Sequence, residues 1–178
     1  MTQGWLPPAE YYASLPKLIG SGGVIYREVH GRVLLVETNY KTEEKYEIPG
    51  GGLNEGESPY ACARREAKEE LGIDLPIGRL LVTDWVPTQL DGRPALTNYV
   101  FDGGVLTDEQ IATLRPTDDE VKSWTFCSLD EAVRRLRPHL ARRLQHCLVA
   151  IDTGTTFYLE NGFDPCAAGD DVSQTAGV

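Results

Sequence analysis

Residues 50–73 read GGGLNEGESPYACARREAKEELGI, a glycine-rich loop running into a short, highly charged helix. Its ends are marked. Ser58 suits an N-cap, Pro59 sits at the first helical position, where its missing N–H costs nothing, and Gly72 suits a left-handed C-cap. These signals predict a helix over 59–71. At about 100° per residue, Glu66, Glu69 and Glu70 share one arc of roughly 100°. Tyr60, Ala63, Ala67 and Leu71 form the neighbouring arc, apolar and small enough for the helix to lie close to a sheet. Arg64 and Lys68 point the other way, toward water.

The acidic arc works against the helix that carries it. Glu66 and Glu70 are like charges at i and i+4, a cost of a few tenths of a kcal/mol in an isolated helix. All three carboxylates also lie in the C-terminal half, where the helix dipole disfavours negative charge by about 0.3–1 kcal/mol. A cation held among them would turn that repulsion into binding. For hard oxygen ligands Mg²⁺ is the natural candidate, with Mn²⁺ as the alternative. A merely solvated acidic patch is the competing reading, and these residues alone leave the two level.

Gly51, Glu57, Arg65, Glu66, Ala67, Glu69, Glu70, Gly72 and Ile73 match, at every spacing, the Nudix box G-x5-E-x7-R-E-U-x-E-E-x-G-U, where U is aliphatic. Ala67 is the smallest residue that the U position takes. With residue usages of about one in twenty, a chance match is on the order of one in 10⁷. The chain therefore resembles a Nudix hydrolase of the MutT-like kind. The resemblance extends as a pattern over about 18–150. It implies an α+β fold, an α/β/α sandwich in which a mixed sheet lies between helices.

The same resemblance implies a site. Glu66 and Glu70 would hold Mg²⁺, assisted by Glu69, Glu57 and the carbonyl of Gly50, whose lack of a side chain permits the backbone angles needed. Glu69 or Glu120 would take a proton from the attacking water, with Asp118 and Asp119 as alternatives to Glu120. Arg65 would orient the glutamates, and Glu57 would tie the loop to the helix. Tyr46 resembles the aromatic residue that commonly precedes the Pro-Gly-Gly segment in this family, which makes it, with Trp85 and Arg93, a candidate substrate contact. The implied reaction is hydrolysis of the pyrophosphate linkage of a nucleoside diphosphate joined to another moiety X. A non-catalytic nucleotide sensor and an isomerase or hydrolase of non-nucleotide diphosphates are the alternatives.

The rest of the chain sets limits. With 27 acidic against 17 basic residues the net charge is −10, which argues against a nucleic-acid polymer or an anionic membrane as partner. A small diphosphate remains compatible, because a bound divalent cation inverts the local charge. No apolar run approaches 18 residues and no basic-then-apolar leader is present, so neither a transmembrane helix nor a signal peptide is expected. Cys62, Cys127, Cys147 and Cys166 lack metal spacing and read as reduced thiols of a cytoplasmic protein.

A single domain is expected over 18–160, with an irregular aromatic arm at 1–17 and a disordered tail at 161–178. In the arm, Trp5, Tyr11 and Tyr12 could pack on the domain or on a second subunit, making a homodimer. Strands are expected at 18–27, 32–37, 77–86, 95–101, 121–126 and 155–159, the middle pair turning at Asp91 and Gly92. Gly20, Gly22 and Gly23 suggest a bulge or a close approach of substrate. Short helices should start at Thr107 and Ser128, and a last one should span 138–150 with Arg142 and Arg143 exposed. His139 and His146 read as surface or packing residues. Trp85 could stack on a base or fill the core, and Asp84 and Arg93 could touch substrate or water.

Overall fold

The computed structural model describes residues 6–15, 18–39, 45–90, 92–116 and 119–167. Trp5, Asp91, Asp118, the loop tip at 43–44 and the tail from 168 lie outside them. In chain order the elements are α1 (Pro8–Ser14), β1 (Ile19–Arg27), β2 (Val33–Thr38), β3 (Tyr46–Glu47), β4 (Gly50–Gly52), α2 (Pro59–Leu71), β5 (Leu80–Val86), β6 (Leu96–Val105), α3 (Asp108–Thr113), β7 (Val121–Cys127), α4 (Leu129–Arg135), α5 (Pro138–Thr153) and β8 (Phe157–Glu160).

The strands form one mixed sheet in the order β3-β2-β1-β6-β5-β8, with β4 added to β1 and β7 to β2. β1 runs parallel to β6, and β5 parallel to β8. The period-2 alternation of β1 and β2 divides their side chains between two cores. Val24, Tyr26, Leu34 and Val36 meet Ala63, Ala67 and Leu71 of α2. On the other face Ile25, Val33 and Leu35 join Leu144 and Cys147 of α5. Helices cover both faces, which is the α/β/α sandwich expected.

α2 runs between the residues its caps predict. Ser58 Oγ accepts the N–H of Ala61 at 3.2 Å, and Gly72 closes the helix at φ 72°. Ser58→Ala should lower stability by about 1 kcal/mol, read as a melting-point drop of about 2–4 °C. The alanine face lies directly on β1. A Cβ on Gly22 would stand 2.7 Å from the backbone nitrogen of Ala63, so this glycine is set by helix packing. The expected bulge is absent at the glycines; the β1–β6 register shifts at Ile25/Tyr26 instead.

Several boundaries differ from expectation. Residues 73–79 are not strand: Ile73 and Ile77 are apolar because they pack on the α2-side core. The arm forms the helix α1, which buries none of its residues; Tyr11 and Tyr12 are exposed there. The chain also stays ordered past 160. Asn161 donates its N–H to the Trp85 carbonyl and Gly162 donates to Asp84. α5 runs to Gly154, its left-handed C-cap.

Glu37 is the acid that β2 carries into the sheet, where every residue of that strand is buried. It accepts Ser123 Oγ at 2.8 Å and pairs with Lys45 at 2.6 Å and Lys122 at 3.3 Å. The Lys45 bond, then the Ser123 bond, hold its carboxyl down at about 2, against an ordinary 4.5. A depressed carboxylate pKa stabilises the fold fully above the ordinary value and progressively less as pH falls from there through about 2. Melting curves of Glu37→Gln should therefore show a smaller loss of stability between pH 5 and pH 3 than the parent protein.

Candidate active site

The acidic side of α2 meets the glycine strand β4. Gly50 donates its N–H to Glu70 at 2.8 Å. Gly51 lies so close to the Glu66 carboxylate that a Cβ there would collide with it. Cys62 adds a further tie, its Sγ 3.3 Å from the carbonyls of Gly51 and Gly52. Burial pushes that thiol up to about 11, so it anchors the loop as a neutral group.

Arg65 is the hub. Its Nε and one terminal nitrogen hold Glu57 at 3.0 Å each, and its other terminal nitrogen bonds Glu66 at 2.7 Å and Glu69 at 2.8 Å. It also donates to the Gly52 carbonyl at 2.9 Å. One guanidinium thus faces three carboxylates. The Arg65 bond holds the Glu57 carboxyl below its usual range. Glu66 moves the opposite way: burial raises it, and the charges of Glu69 and Glu120 add to that, despite Arg65. Glu120 thus stands within electrostatic reach of Glu66, on the loop that Asn39 fastens by donating to the carbonyls of Asp119 and Glu120.

Glu57, Glu66, Glu69, Glu70, Gly50 and Arg65 are therefore brought together, with Glu120 nearby. As they lie, no group of three His, Cys, Asp or Glu side chains among the described residues is gathered to hold a metal ion. Arg65 draws three of the acids to itself. The donor set still fits a hard divalent cation: all its side chains end in carboxylate oxygen, negative charge exceeds the guanidinium that balances it, and Glu66 is half-buried with that excess. Glu66, Glu70 and the Gly50 carbonyl are the groups that would hold the ion.

Behind β4, on the α5 face of the sheet, opens a cavity of about 540 Å³. Gly50, Gly51 and Gly52 form one wall, so it adjoins the acidic cluster directly. Arg93 lines it. Trp85 and Tyr46 do not. Trp85 alternates with Asp84 and Val86 and so faces the sheet's other side. Tyr46 packs against the α5-side core beneath the Arg135 guanidinium, 4.9 Å from its ring centre.

Two charged residues were misread in the sequence. Arg143, expected to be exposed, is 5% exposed, and Asp84 is fully buried. Arg143 Nε donates to Asp84 at 2.7 Å, so Asp84 contacts neither water nor the cavity. The signal was there: Leu140, Arg143, Leu144 and Cys147 follow the i, i+3, i+4, i+7 spacing of a buried stripe. His139 lines the cavity, while His146 packs edge-on against Phe157 at 5.4 Å. All four cysteines are free.

This fold and acidic cluster correspond to a known family. The family model described as NUDIX domain matches residues 17–147, and the chain belongs to that family. An RNA pyrophosphohydrolase of Roseobacter denitrificans is 27% identical over 131 residues, 65% of this chain and 80% of that protein. A "nucleoside diphosphate-linked moiety X motif 6" protein of Xenopus laevis is 38% identical over 63 residues, 35% of this chain. The chain spans only 29% of that Xenopus protein, and 24% of a Nudix hydrolase 5 from Arabidopsis thaliana. Among solved structures, the NUDIX domain of Shewanella oneidensis NrtR, complexed with ADP ribose, superposes at a TM-score of 0.65 with 16% identity. That match covers 82% of this chain and 99% of the Shewanella domain. A MutT protein from Methanosarcina mazei gives 0.61 at 22% identity, covering 79% and 99%. These likenesses establish the fold.

Proposed function

We propose that the chain hydrolyses the pyrophosphate linkage of a nucleoside diphosphate joined to a second moiety, with Mg²⁺ as cofactor and Mn²⁺ as a substitute. The observation that carries this reading is the junction of Glu66, Glu70 and the β4 backbone at the wall of a substrate-sized cavity. When bound, a divalent cation there neutralises charge on the phosphate oxygens and lowers the pKa of water. The protein supplies the rest. Glu70 fixes Gly50 through its N–H and so aims the Gly50 carbonyl. Arg65 holds Glu57, Glu66 and Glu69 in one orientation through charge-assisted bonds. Glu69 or Glu120 accepts the proton of the attacking water. The three buried free thiols of Cys62, Cys127 and Cys147 fit a reducing compartment, the cytoplasm. Among the described residues no helix is long and apolar enough to cross a membrane.

The test is a product-resolved panel of ADP-ribose, dinucleotides, nucleotide sugars, nucleoside triphosphates and prenyl diphosphates, with Mg²⁺, Mn²⁺ or chelator. Metal-dependent release of a nucleoside monophosphate supports the proposal. No cleavage anywhere, alongside ligand-induced thermal shifts, would replace it with a nucleotide sensor.

A further inference from the structure

The two sides of β4 carry opposite charge. Facing α2 stand the glutamates; facing α5, the cavity is lined by Arg93, Arg137 and Arg143, with Glu47 as the acid among its lining residues. Arg137 gives one terminal nitrogen to Glu47 at 2.9 Å, and its buried Nε has no partner. Arg143 uses its Nε on Asp84, behind the wall, so its two terminal nitrogens lie outside that bond. Arg93 is exposed, on a turn closed by the Gln89 N–H to the Arg93 carbonyl at 2.9 Å.

Two further features shape the electrostatics of the cavity. Between these arginines, His139 is pushed down to about 4, first by burial and then by Arg143, Arg137, Arg142 and Arg93. The imidazole is therefore neutral at pH 7 and adds a polar contact without charge. The cavity also receives the start of α5, whose N-cap Arg137 makes no side-chain capping bond, so the positive end of a 16-residue helix adds to the field. Among the described residues no Phe, Tyr or Trp lines the cavity, so the His139 imidazole is the one ring there for a base to stack on. Ile19, Val86, Leu96 and Leu140 supply an apolar floor instead.

We propose that this cavity binds an anionic group, a phosphate monoester or a carboxylate, carried on the arm of the substrate that extends past the scissile diphosphate. This rests on the reading above for where the arm begins, at the Gly50–Gly52 wall. Arg93 and the outward nitrogens of Arg137 and Arg143 contact the anion, and the apolar floor contacts the body of the arm. The cavity thus selects among diphosphates by a second negative charge.

Two matched pairs test this: UDP-glucose against UDP-glucuronate, which differ by a carboxylate, and NAD⁺ against NADP⁺, which differ by a phosphate monoester. Binding is measured by titration calorimetry with Mg²⁺ on Glu70→Gln protein, so it is read whether or not the chain hydrolyses them. At least one charged member should bind about tenfold or more tightly than its neutral partner, the scale of one hydrogen bond to a charged group. Arg93→Gln should remove most of that preference. So should Arg137→Gln combined with Glu47→Gln, which removes both partners of that ion pair. The favoured pair tells carboxylate from phosphate. Equal binding within both pairs, no binding by any of the four, or a preference untouched by both variants overturns the inference. A preference that persists while wild-type protein cleaves none of the four, nor any compound of the wider panel, supports the cavity and sinks the hydrolase reading.

Discussion

Glu70→Gln is expected to lower turnover by about 10²-fold or more while the protein folds as before. The substitution is nearly isosteric, and the amide oxygen still accepts the Gly50 N–H that now reaches Glu70 at 2.8 Å. What disappears is one full negative charge in a buried acid, 8% exposed, at the junction of α2 and β4. Electrostatic help from a bound cation is worth several kcal/mol, and each 1.36 kcal/mol is tenfold in rate, which sets the expected loss. Relief of the i, i+4 repulsion with Glu66 should leave the melting temperature equal or higher. Steady-state kinetics with any compound the wild type cleaves, alongside thermal melts, checks both parts. Wild-type rates in the variant would mean that Glu70 serves only as an anchor for Gly50.

The second large effect concerns the other side of the sheet. Asp84→Ala should destabilise the protein by about 3–5 kcal/mol, the range for removing one partner of a buried ion pair. Asp84 is fully buried, accepting Arg143 Nε at 2.7 Å and the Gly162 N–H at 3.0 Å. Its loss leaves a guanidinium and an amide inside the fold without their acceptor. The penalty lies in the stranded charge, so the double variant Asp84→Val/Arg143→Met should regain much of it. Urea unfolding of the three proteins measures this. A single variant within about 0.5 kcal/mol of the parent would show that water entering from the cavity satisfies Arg143 without Asp84.

The parts of the molecule legible in the sequence were those written in local chemistry. α2 was bounded correctly because Ser58, Pro59 and Gly72 each act within a turn of where they stand. The grouping of Glu66, Glu69 and Glu70 followed from helical spacing, which tertiary packing does not alter. What was not legible depended on register. Residues 77–86 read as one strand, yet the strand begins at Leu80 and its pairing with β6 shifts between Leu80 and Val82. A one-residue slip moves every later side chain to the other face, so the orientation of Trp85 was not encoded in its neighbours. The resemblance implies Tyr46 as a substrate contact, whereas cross-sheet packing sets it, half-buried, against the α5-side core. Arg143 differs for another reason: its charge suggests exposure, although its spacing with Leu140, Leu144 and Cys147 marks a buried face. Its partner lies 59 positions away, in β5.

On the proposed reading, water assisted by a bound metal would attack a phosphorus of a nucleoside diphosphate derivative at the α2–β4 junction. The most direct measurement is mass spectrometry of the products formed in ¹⁸O-water from the best substrate of the panel, with Mg²⁺ and with chelator. Two phosphate products with a single ¹⁸O on one phosphate are expected with Mg²⁺, none with chelator, and a yield lower by about 10²-fold or more in Glu70→Gln. Label on a carbon of the second moiety, an isomerised product without label, or equal cleavage in chelator would contradict it.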